Sequence, residues 1–296
     1  ARPGKSGSGA VHGENKICRR LHGGKFMKRS SGRVDETGMC HLLKYDLHTH
    51  TAFSDGRSPV RDMANAAESN GLRGIAITDH VFNDVQAEKL LGDYAGIDTT
   101  ACPVEILFGC ETAVRDVSGK PCASKKFLDR FELVLMDCNN ILFSQLAGNP
   151  ASPEELRDVL CDVMIKACGN PEVKILAHPF NFGLSPLNLS LKLFDDARTA
   201  KIAQAFQRNG KIFEIMNQMY FWHSHVPFEE FHREYMRILN IFKSEGVRFS
   251  LGSDAHSCCG VGCLYWCERV VTELGIRNGL YLPEQMLQQQ TEKVKV

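Results

Sequence analysis

The sequence predicts an α/β protein built on parallel strands, and two observations support this class. Seven short apolar segments alternate with helical patterns from residue 42 onward, and strands that alternate with helices form parallel sheets. Polar side chains follow the ends of these segments, where a parallel barrel collects its functional loops. Seven strands are one fewer than the usual closed barrel contains and more than most small open sheets contain.

The predicted strands are four or five residues long and rich in Val, Ile and Leu, as buried parallel strands are. They cover residues 43–47, 74–77, 104–108, 133–136, 173–177, 212–215 and 248–251.

Helix signals lie between these strands. Ser58 and Pro59 are the predicted N-cap and first residue of one helix. Residues 152–155 have the sequence of a capping box, and apolar residues follow them at helical spacing. Two further helical stretches cover residues 194–208 and 228–243.

The composition is that of a soluble globular chain. Hydrophobic residues make up 43% of the 296 residues, and Lys+Arg and Asp+Glu both count 35, so no overall basic field attracts nucleic acid or acidic membranes. The longest apolar runs are about half as long as a membrane span, and we recognise no secretory signal. We therefore expect no membrane partner. Twelve scattered cysteines without a C-x-x-C pair indicate reduced thiols and a cytoplasmic location.

Residues 1–40 differ from the rest in composition. They contain nine Lys or Arg against three Asp or Glu, and eight of the 25 glycines. We predict a flexible basic N-terminal tail there and a single folded domain over residues 41–296. The tail could contact a phosphate backbone, although a solvated tail is the simpler interpretation.

Histidine and carboxylate residues cluster where the predicted strands end. His48 and His50 follow the first strand, and Asp254 and His256 repeat their spacing after the last one. Residues i and i+2 of a strand point the same way, so each pair can bind one ion. Further residues of the same types lie at other strand ends or in the loops after them: Asp55, His80, Glu111 and His178.

Imidazole nitrogen together with carboxylate oxygen suits Zn²⁺, Mn²⁺ and Fe²⁺. One H-x-H pair carries little information, and His223 and His225 form such a pair in a predicted loop that we leave outside the site. Five of the 11 histidines and three carboxylates at successive strand ends, by contrast, predict a metal centre.

Taken in order, these motifs resemble those of the PHP (polymerase and histidinol phosphatase) superfamily of metal-dependent phosphoesterases. The resemblance runs from about residue 45 to residue 275. The segments that carry it are Asp46-Leu47-His48-Thr49-His50, Ser54-Asp55-Gly56, Ile77-Thr78-Asp79-His80, Gly109-Cys110-Glu111, Ala177-His178-Pro179, Glu214-Ile215 and Gly252-Ser253-Asp254-Ala255-His256. The resemblance implies a distorted (β/α)7 TIM-like barrel with the metal site at the C-terminal strand ends, which agrees with the seven predicted strands.

The resemblance also implies two to three divalent ions (Zn, Mn or Fe) per chain. The implied ligands are His48, His50, Glu111 and Asp254 for the first ion, Glu111 and His178 for the second, and Asp55, His80 and His256 for the third.

One implied ligand of the second ion departs from the family pattern. The family usually has a histidine after the fourth strand, where this sequence places Asn139. A neutral amide is a poorer ligand for a transition metal than imidazole. Asp137 or Cys138 are alternative ligands, so the second ion is weakly held, differently ligated or absent.

The implied function is hydrolysis of a small phosphorylated metabolite, such as histidinol phosphate or a nucleotide, by metal-activated water. Glu111 is expected to bridge two ions, and His80 or His256 to protonate the leaving group. Arg115 is a possible phosphate-binding residue, although surface charge is the simpler interpretation. Glu214 is either an acid that orients a ligand or a plain strand-end residue.

Two alternatives remain open. The first is an exonuclease or oligonucleotide phosphoesterase, which only the basic tail supports. The second is a catalytically decayed barrel that acts as a binding module, which Asn139 supports. The oligomeric state is left open.

Overall fold

The structure is a computed structural model that describes residues 44–139, 152–185, 187–276 and 279–283. The predicted tail over residues 1–40 lies outside these ranges.

The described strands are parallel and form two sheets. The first sheet has the order β1-β2-β3 and the second the order β4-β5-β6-β7-β8. The strands are β1 (Tyr45–Thr49), β2 (Gly74–Ile77), β3 (Glu105–Phe108), β4 (Cys110–Ala113), β5 (Val134–Asp137), β6 (Ile175–Ala177), β7 (Ile212–Met216) and β8 (Arg248–Gly252). The predicted α/β class with parallel strands is confirmed, whereas the strand pairing of the described residues does not show a closed barrel.

The third predicted strand, over residues 104–108, corresponds to β3, and a further strand, β4, follows it after Gly109. β3 pairs with β2 in the first sheet, and β4 pairs with β5 in the second, with Glu111 opposite Leu135. The prediction of seven strands therefore missed β4 and placed Glu111 beyond a strand end. The sequence of β4 contains the carboxylate of Glu111, although the strand is fully buried. The hydrophobic pattern alone does not predict such a strand.

The helices within the described ranges are α1 (Val60–Ser69), α2 (Asp84–Ala95), α3 (Lys125–Leu128), α4 (Pro153–Ala167), α5 (Asp196–Arg208), α6 (Phe228–Ser244) and α7 (Tyr265–Leu274). Short 3-10 helices cover Leu191–Leu193 and Met219–His223. None of these helices combines the length and the apolar character that crossing a bilayer requires.

The two predicted N-caps have different outcomes. The Ser152 hydroxyl accepts a hydrogen bond from the Glu155 amide at 3.1 Å and caps α4 as predicted. The prediction for Ser58 is wrong, because α1 begins at Val60 without a side-chain cap. Ser58 instead accepts a hydrogen bond from the Cys258 amide at 3.0 Å, which connects the start of α1 to the loop after β8.

Two apolar clusters divide the core. The larger one lies between strands and helices. The smaller one contains strand residues at alternate positions and no helical residue, so it lies on the strand face away from the helices. Its buried members are Tyr45, Leu47, Ala76, Leu107, Leu133, Leu135, Ile175, Ala177 and Ile212. Residues that follow these at even spacing continue the same face toward the C-terminal strand ends.

Backbone hydrogen bonds join the C-terminal end of β1 to the segment after β8. The Asp254 amide donates to the His48 carbonyl at 2.9 Å, and the His50 amide donates to the Ala255 carbonyl at 2.8 Å. The buried Asp46 carboxylate accepts from the Ser253 and Gly262 amides, both at 2.9 Å. The segments His48–His50 and Asp254–His256, which are about two hundred residues apart in sequence, therefore lie side by side.

Gly109 gives a test of the strand switch between the two sheets. A Cβ at this position would overlap the carbonyl oxygen of Leu133 and lie 3.2 Å from the Leu133 Cβ. We expect Gly109→Ala to lower the free energy of unfolding by about 1–3 kcal/mol, as overpacking does. Denaturant unfolding measures this. Gly92→Ala is the control, because its added Cβ meets nothing within 4 Å. Equal stability of the two variants would contradict the tight backbone approach at Gly109.

Candidate metal centre

The eight predicted ligands meet at the C-terminal ends of the strands. They come from β1 and the loop after it, the end of β2, β4, the end of β6 and the segment after β8. They fall into a buried inner cluster around Glu111 and a more exposed outer cluster around Asp55, which share His50 and His80.

Glu111 is the centre of the inner cluster. Its Oε2 lies 3.3 Å from His48 Nε2, 3.5 Å from His50 Nε2 and 3.1 Å from His80 Nδ1. Its Oε1 lies 3.1 Å from His178 Nε2. One buried carboxylate is therefore within 3.5 Å of four imidazole nitrogens.

Asp254 completes the group around His48 and His50. Its Oδ1 lies 3.2 Å from His50 Nε2 and 3.6 Å from His48 Nε2. The two Nε2 atoms are only 2.9 Å apart. Two imidazole nitrogens that face each other can share one proton at most, whereas a divalent cation satisfies both together with the two carboxylates. The donor set therefore fits a metal ion.

The outer cluster consists of His50, Asp55, His80 and His256, whose ligand atoms lie within 4.8 Å of one another. Asp55 Oδ2 is 3.6 Å from His80 Nε2 and 3.3 Å from His256 Nε2. The Asp55 and His256 side chains are 56% and 39% exposed, whereas His48 and His50 are fully buried. Solvent and ligands therefore reach the centre from the outer side.

Comparison with known proteins gives the family of the chain. The family model of the PHP domain matches residues 46–252. The chain belongs to the PHP domain family. A probable phosphatase of Acetivibrio thermocellus is 32% identical over 222 residues, which cover 73% of this chain and 81% of the relative. A probable phosphatase of a Thermoanaerobacter species is 28% identical over 243 residues, which cover 81% of this chain and 90% of the relative.

A solved structure shares the fold. Histidinol phosphate phosphatase from Lactococcus lactis, whose crystal structure holds zinc, L-histidinol and phosphate, superimposes with a TM-score of 0.58 at 16% identity. The match covers 81% of this chain and 95% of that protein. The predicted family and the predicted class of metal-dependent phosphoester hydrolase are both confirmed.

The contacts of Glu214 favour the orienting role over that of a plain strand-end residue. Its Oε1 lies 2.8 Å from His48 Nδ1, and its Oε2 accepts a hydrogen bond from the His178 amide at 2.7 Å. Glu214 lies two residues after Ile212, which belongs to the smaller apolar cluster. Its side chain therefore lies on the same strand face, next to the predicted metal ligands.

Asp79 is a positioning residue that the sequence analysis missed. Its buried carboxylate accepts hydrogen bonds from the Thr51 amide and the Thr51 hydroxyl, both at 2.7 Å, from Ser54 Oγ at 2.6 Å and from Tyr94 OH at 3.0 Å. These bonds fold the loop that carries Asp55 back onto the end of β2. The signal was a carboxylate directly before His80 at a strand end.

Backbone strain accompanies two of the predicted ligands. His178 and Asp254 have φ angles of 30° and 55°, and Phe180 has a φ of 70°. Non-glycine residues rarely adopt this region, and such strain concentrates at functional sites. The buried His223 contacts the Phe180 carbonyl through Nε2 at 3.0 Å, so this histidine supports the strained loop rather than joining the ligand groups found among the described residues.

The end of β5 distinguishes the three candidates for the second ion. Cys138 belongs to the large apolar cluster, and burial raises its pKa well above the usual value. Asp137 lies opposite Ala177 in β6 and raises the pKa of the adjacent His178. The Asp137 carboxylate is therefore close to this predicted ligand. Asn139 is fully buried, and its Oδ1 has no hydrogen-bond partner among the described residues. These observations favour Asp137 over Cys138 as a ligand, and Asn139 retains an unpartnered buried oxygen among the described residues.

Arg115 lies on the surface, where its side chain is 57% exposed and its Nε is 3.3 Å from Asp116. None of its described hydrogen bonds or ion pairs involves a predicted ligand. The structure gives no support to the prediction that it binds phosphate.

Charge pairing sets the protonation of the site when no metal is bound. Burial opposes the protonation of His80 and His178, but the Glu111 carboxylate outweighs it and raises their pKa values to about 10 and about 9. Burial likewise opposes ionisation of Asp254, and the positive charge of His48 outweighs it and lowers the pKa of Asp254 to about 2. Protons on the imidazoles therefore balance the carboxylates until a cation replaces them.

This competition predicts that metal affinity rises with pH. His80 and His178 have pKa values raised from 6.5 to about 10 and about 9. Their contribution to folding of the metal-free protein is complete below pH 6.5 and is lost as the pH rises through about 9 and 10. In the same interval Zn²⁺ affinity should rise by up to about tenfold per pH unit for each proton released.

Chelator competition at about pH 6.5 and about pH 8.5 measures this rise. The variant His80→Gln, which lacks one titrating imidazole, should show a smaller slope. Equal affinity of the wild-type chain at both pH values would contradict the protonation described here.

Proposed function

We propose that the chain is a metal-dependent phosphomonoesterase for a small phosphorylated metabolite. The observation that carries the proposal is the buried Glu111 carboxylate within 3.5 Å of four imidazole nitrogens. Such a cluster of basic nitrogens around one carboxylate suits a group of adjacent divalent ions rather than a structural core.

The proposed ligands follow the two clusters. His48, His50, Glu111 and Asp254 would hold the first ion, and Glu111 with His178 the second. Asp55, His80 and His256 would hold the third ion. The identity of the metal, with Zn, Mn and Fe as candidates, and the number of ions, two or three, are part of the proposal.

When bound, divalent ions neutralise the phosphate oxygens and favour ionisation of a water nucleophile. The residues of the chain then divide the remaining work. Glu111 would contribute one carboxylate oxygen to each inner position from its buried strand, and the partly exposed His256 is placed to donate a proton to the leaving oxygen. His80, which is less exposed, is the second candidate for this proton donor.

A cavity of about 380 Å³ opens beside the outer cluster. The loop after β1, with Phe53, Ser54 and Asp55, forms one part of its wall, and His80, Phe82 and residues of α2 form the rest. The Phe82 ring is stacked on the His80 ring with centroids 5.1 Å apart and is 39% exposed. We propose that this cavity receives the leaving group of the substrate and that Phe82 stacks on a planar ring there.

The size and lining of the cavity suit a small heteroaromatic phosphate ester. The Lactococcus lactis structure holds L-histidinol and phosphate, which supports histidinol phosphate or a nucleotide as the substrate class. The convergence of the ligands disfavours a decayed site, because so many buried polar groups are costly without a cation. The nucleic-acid alternative depends on residues 1–40, outside the described ranges, and gains no support here. The cytoplasmic location stays a prediction.

The first test is a phosphatase assay of the metal-loaded protein against a panel of phosphomonoesters. His48→Ala should lower kcat/KM by at least about a hundredfold, because it removes an inner ligand. His225→Ala is the control, since this exposed histidine lies in none of the ligand groups found in the described ranges. Activity that persists in His48→Ala, or in the presence of EDTA, would refute the proposed function.

The second test concerns the leaving group. Phe82→Leu removes a ring but keeps an apolar side chain, so KM for histidinol phosphate and AMP should rise about three- to tenfold. KM for glycerol phosphate, which has no ring, should stay within about twofold. Phe221→Leu serves as the matched control, because Phe221 is 68% exposed and does not line the cavity. A parallel change for all three substrates would argue against stacking.

A further inference from the structure

Glu214 is a buried carboxylate that contacts two predicted ligands of different ions. Its Oε1 lies 2.8 Å from His48 Nδ1, and its Oε2 accepts the hydrogen bond from the His178 amide at 2.7 Å. His48 belongs to β1 and His178 follows β6, so one side chain on β7 joins two distant segments. In the described part of the chain, the hydrogen bonds and ion pairs of Glu214 include none to Asp55, His80 or His256.

The contact with His48 determines which ring nitrogen faces the metal. An ionised carboxylate can only accept hydrogen bonds, so the Nδ1 beside it must carry the proton. The Nε2 lone pair is then free and points toward Glu111, Asp254 and His50, from which it is 2.9–3.6 Å distant. Carboxylates that accept from metal-binding histidines fix the tautomer and the ring orientation in this way.

The contact with His178 holds a strained backbone. His178 has a φ of 30°, which non-glycine residues rarely adopt. The charge-assisted hydrogen bond from its amide to Glu214 stabilises this conformation. In that conformation the side chain lies with Nε2 at 3.1 Å from Glu111 Oε1.

Gly252 provides the space for this arrangement. It ends β8 beside β7, and a Cβ there would overlap Glu214 Oε1 and lie 2.6 Å from the Cβ of His48. Any larger residue would displace both members of the Glu214–His48 pair. The glycine is therefore explained by the close approach of side chains and not by its backbone angles.

We propose that Glu214 is a positioning residue that couples the first and second metal positions, by fixing the tautomer of His48 and the backbone of His178 with one carboxylate. The proposal rests on the metal centre of the proposed function. Glu214 itself is not a ligand in this scheme, although it lies within 4.8 Å of His48 and His178 atoms. A metal between Glu214 and His48 Nδ1 would require His48 to bind ions through both ring nitrogens.

The variant Glu214→Gln tests the coupling. The amide oxygen replaces one acceptor, but the amide NH₂ then faces a second donor, either His48 Nδ1–H or the His178 amide. If His48 changes tautomer to avoid this conflict, its Nε2 carries the proton and loses its lone pair. We expect Zn²⁺ affinity at the inner positions to fall about 10- to 100-fold, while the outer position keeps its ion.

Zinc content per chain after dialysis at graded free Zn²⁺ separates the positions. At a free Zn²⁺ concentration that the weakened inner positions no longer bind, Glu214→Gln should retain only the outer zinc. Asp55→Asn should lose this outer zinc, so the double variant should bind no zinc at that concentration. Gly252→Ala should reproduce the loss of inner zinc. Two controls should retain it: Ser250→Ala, which changes the buried neighbour opposite Glu214, and Gly92→Ala, whose added Cβ has open space.

The ¹⁵N shifts of the His48 ring provide a second readout that does not depend on any variant folding. In the zinc-loaded wild-type protein, the proposal requires a proton on Nδ1 of His48. A proton on Nε2, or a Glu214→Gln variant with wild-type zinc content, would overturn the coupling. Uniform loss of inner and outer zinc would also overturn it, since that indicates a general structural defect.

The outcome is separable from that of the proposed function. Zinc uptake that depends on Glu214, in a protein that hydrolyses none of the phosphomonoesters, would refute the phosphatase and leave the coupling intact. Active protein whose zinc content is independent of Glu214 would do the reverse.

Discussion

The burial of the Glu111 carboxylate among four imidazoles is the constraint on which the rest of the structure depends. A charge in a strand that water does not reach must be matched locally, and here the matching groups come from β1, β2 and β6. This is possible only because β4 is separated from β3 by Gly109 and pairs with β5 instead. The switch between the two sheets brings Glu111 beside His80, and the isolated bridge between these two residues marks that junction.

Three further buried carboxylates hold the surrounding loops in place. Asp46 connects β1 to the segment after β8, Asp79 folds the loop that carries Asp55, and Glu214 contacts His48 and His178. Each accepts hydrogen bonds from backbone amides or from Ser, Thr, Tyr or His side chains in the contacts described above. The positions of the predicted ligands are therefore set by directional hydrogen bonds to buried carboxylates.

The sequence predicts the strands well where hydrophobic runs are continuous, and poorly where the site enters them. β2 is predicted to the residue, since residues 74–77 are apolar and lie in the interior of a sheet. β4 was missed because Glu111 and Thr112 interrupt its apolar pattern, and the reason for their burial is a polar site that the local sequence does not show. Ser58 was assigned to a helix cap because local signals cannot show that a loop two hundred residues later takes its hydroxyl.

The candidate ligands were accessible from sequence because strand ends in parallel sheets meet at one edge, so their order along the chain carries spatial information. The supporting residues were less accessible. Asp79 and Glu214 differ from ordinary strand-end carboxylates only in the partners that tertiary structure supplies. The sequence also does not reveal the irregular register of β1 between Asp46 and Thr49. Within this irregular stretch Leu47 packs in the smaller apolar cluster, while the adjacent His48 contacts Glu111.

The inner and outer clusters differ in solvent exposure, and this difference indicates the side on which the leaving group departs in the proposed reaction. The inner residues are buried and held by contacts with Glu111 and Glu214, so their side chains have little room to rearrange. The outer residues Asp55 and His256 are partly exposed, and Asp55 and His80 border the cavity that Phe82 lines. In the proposed reaction the leaving group therefore departs on the outer side, where the His256 imidazole is also exposed and placed to donate a proton.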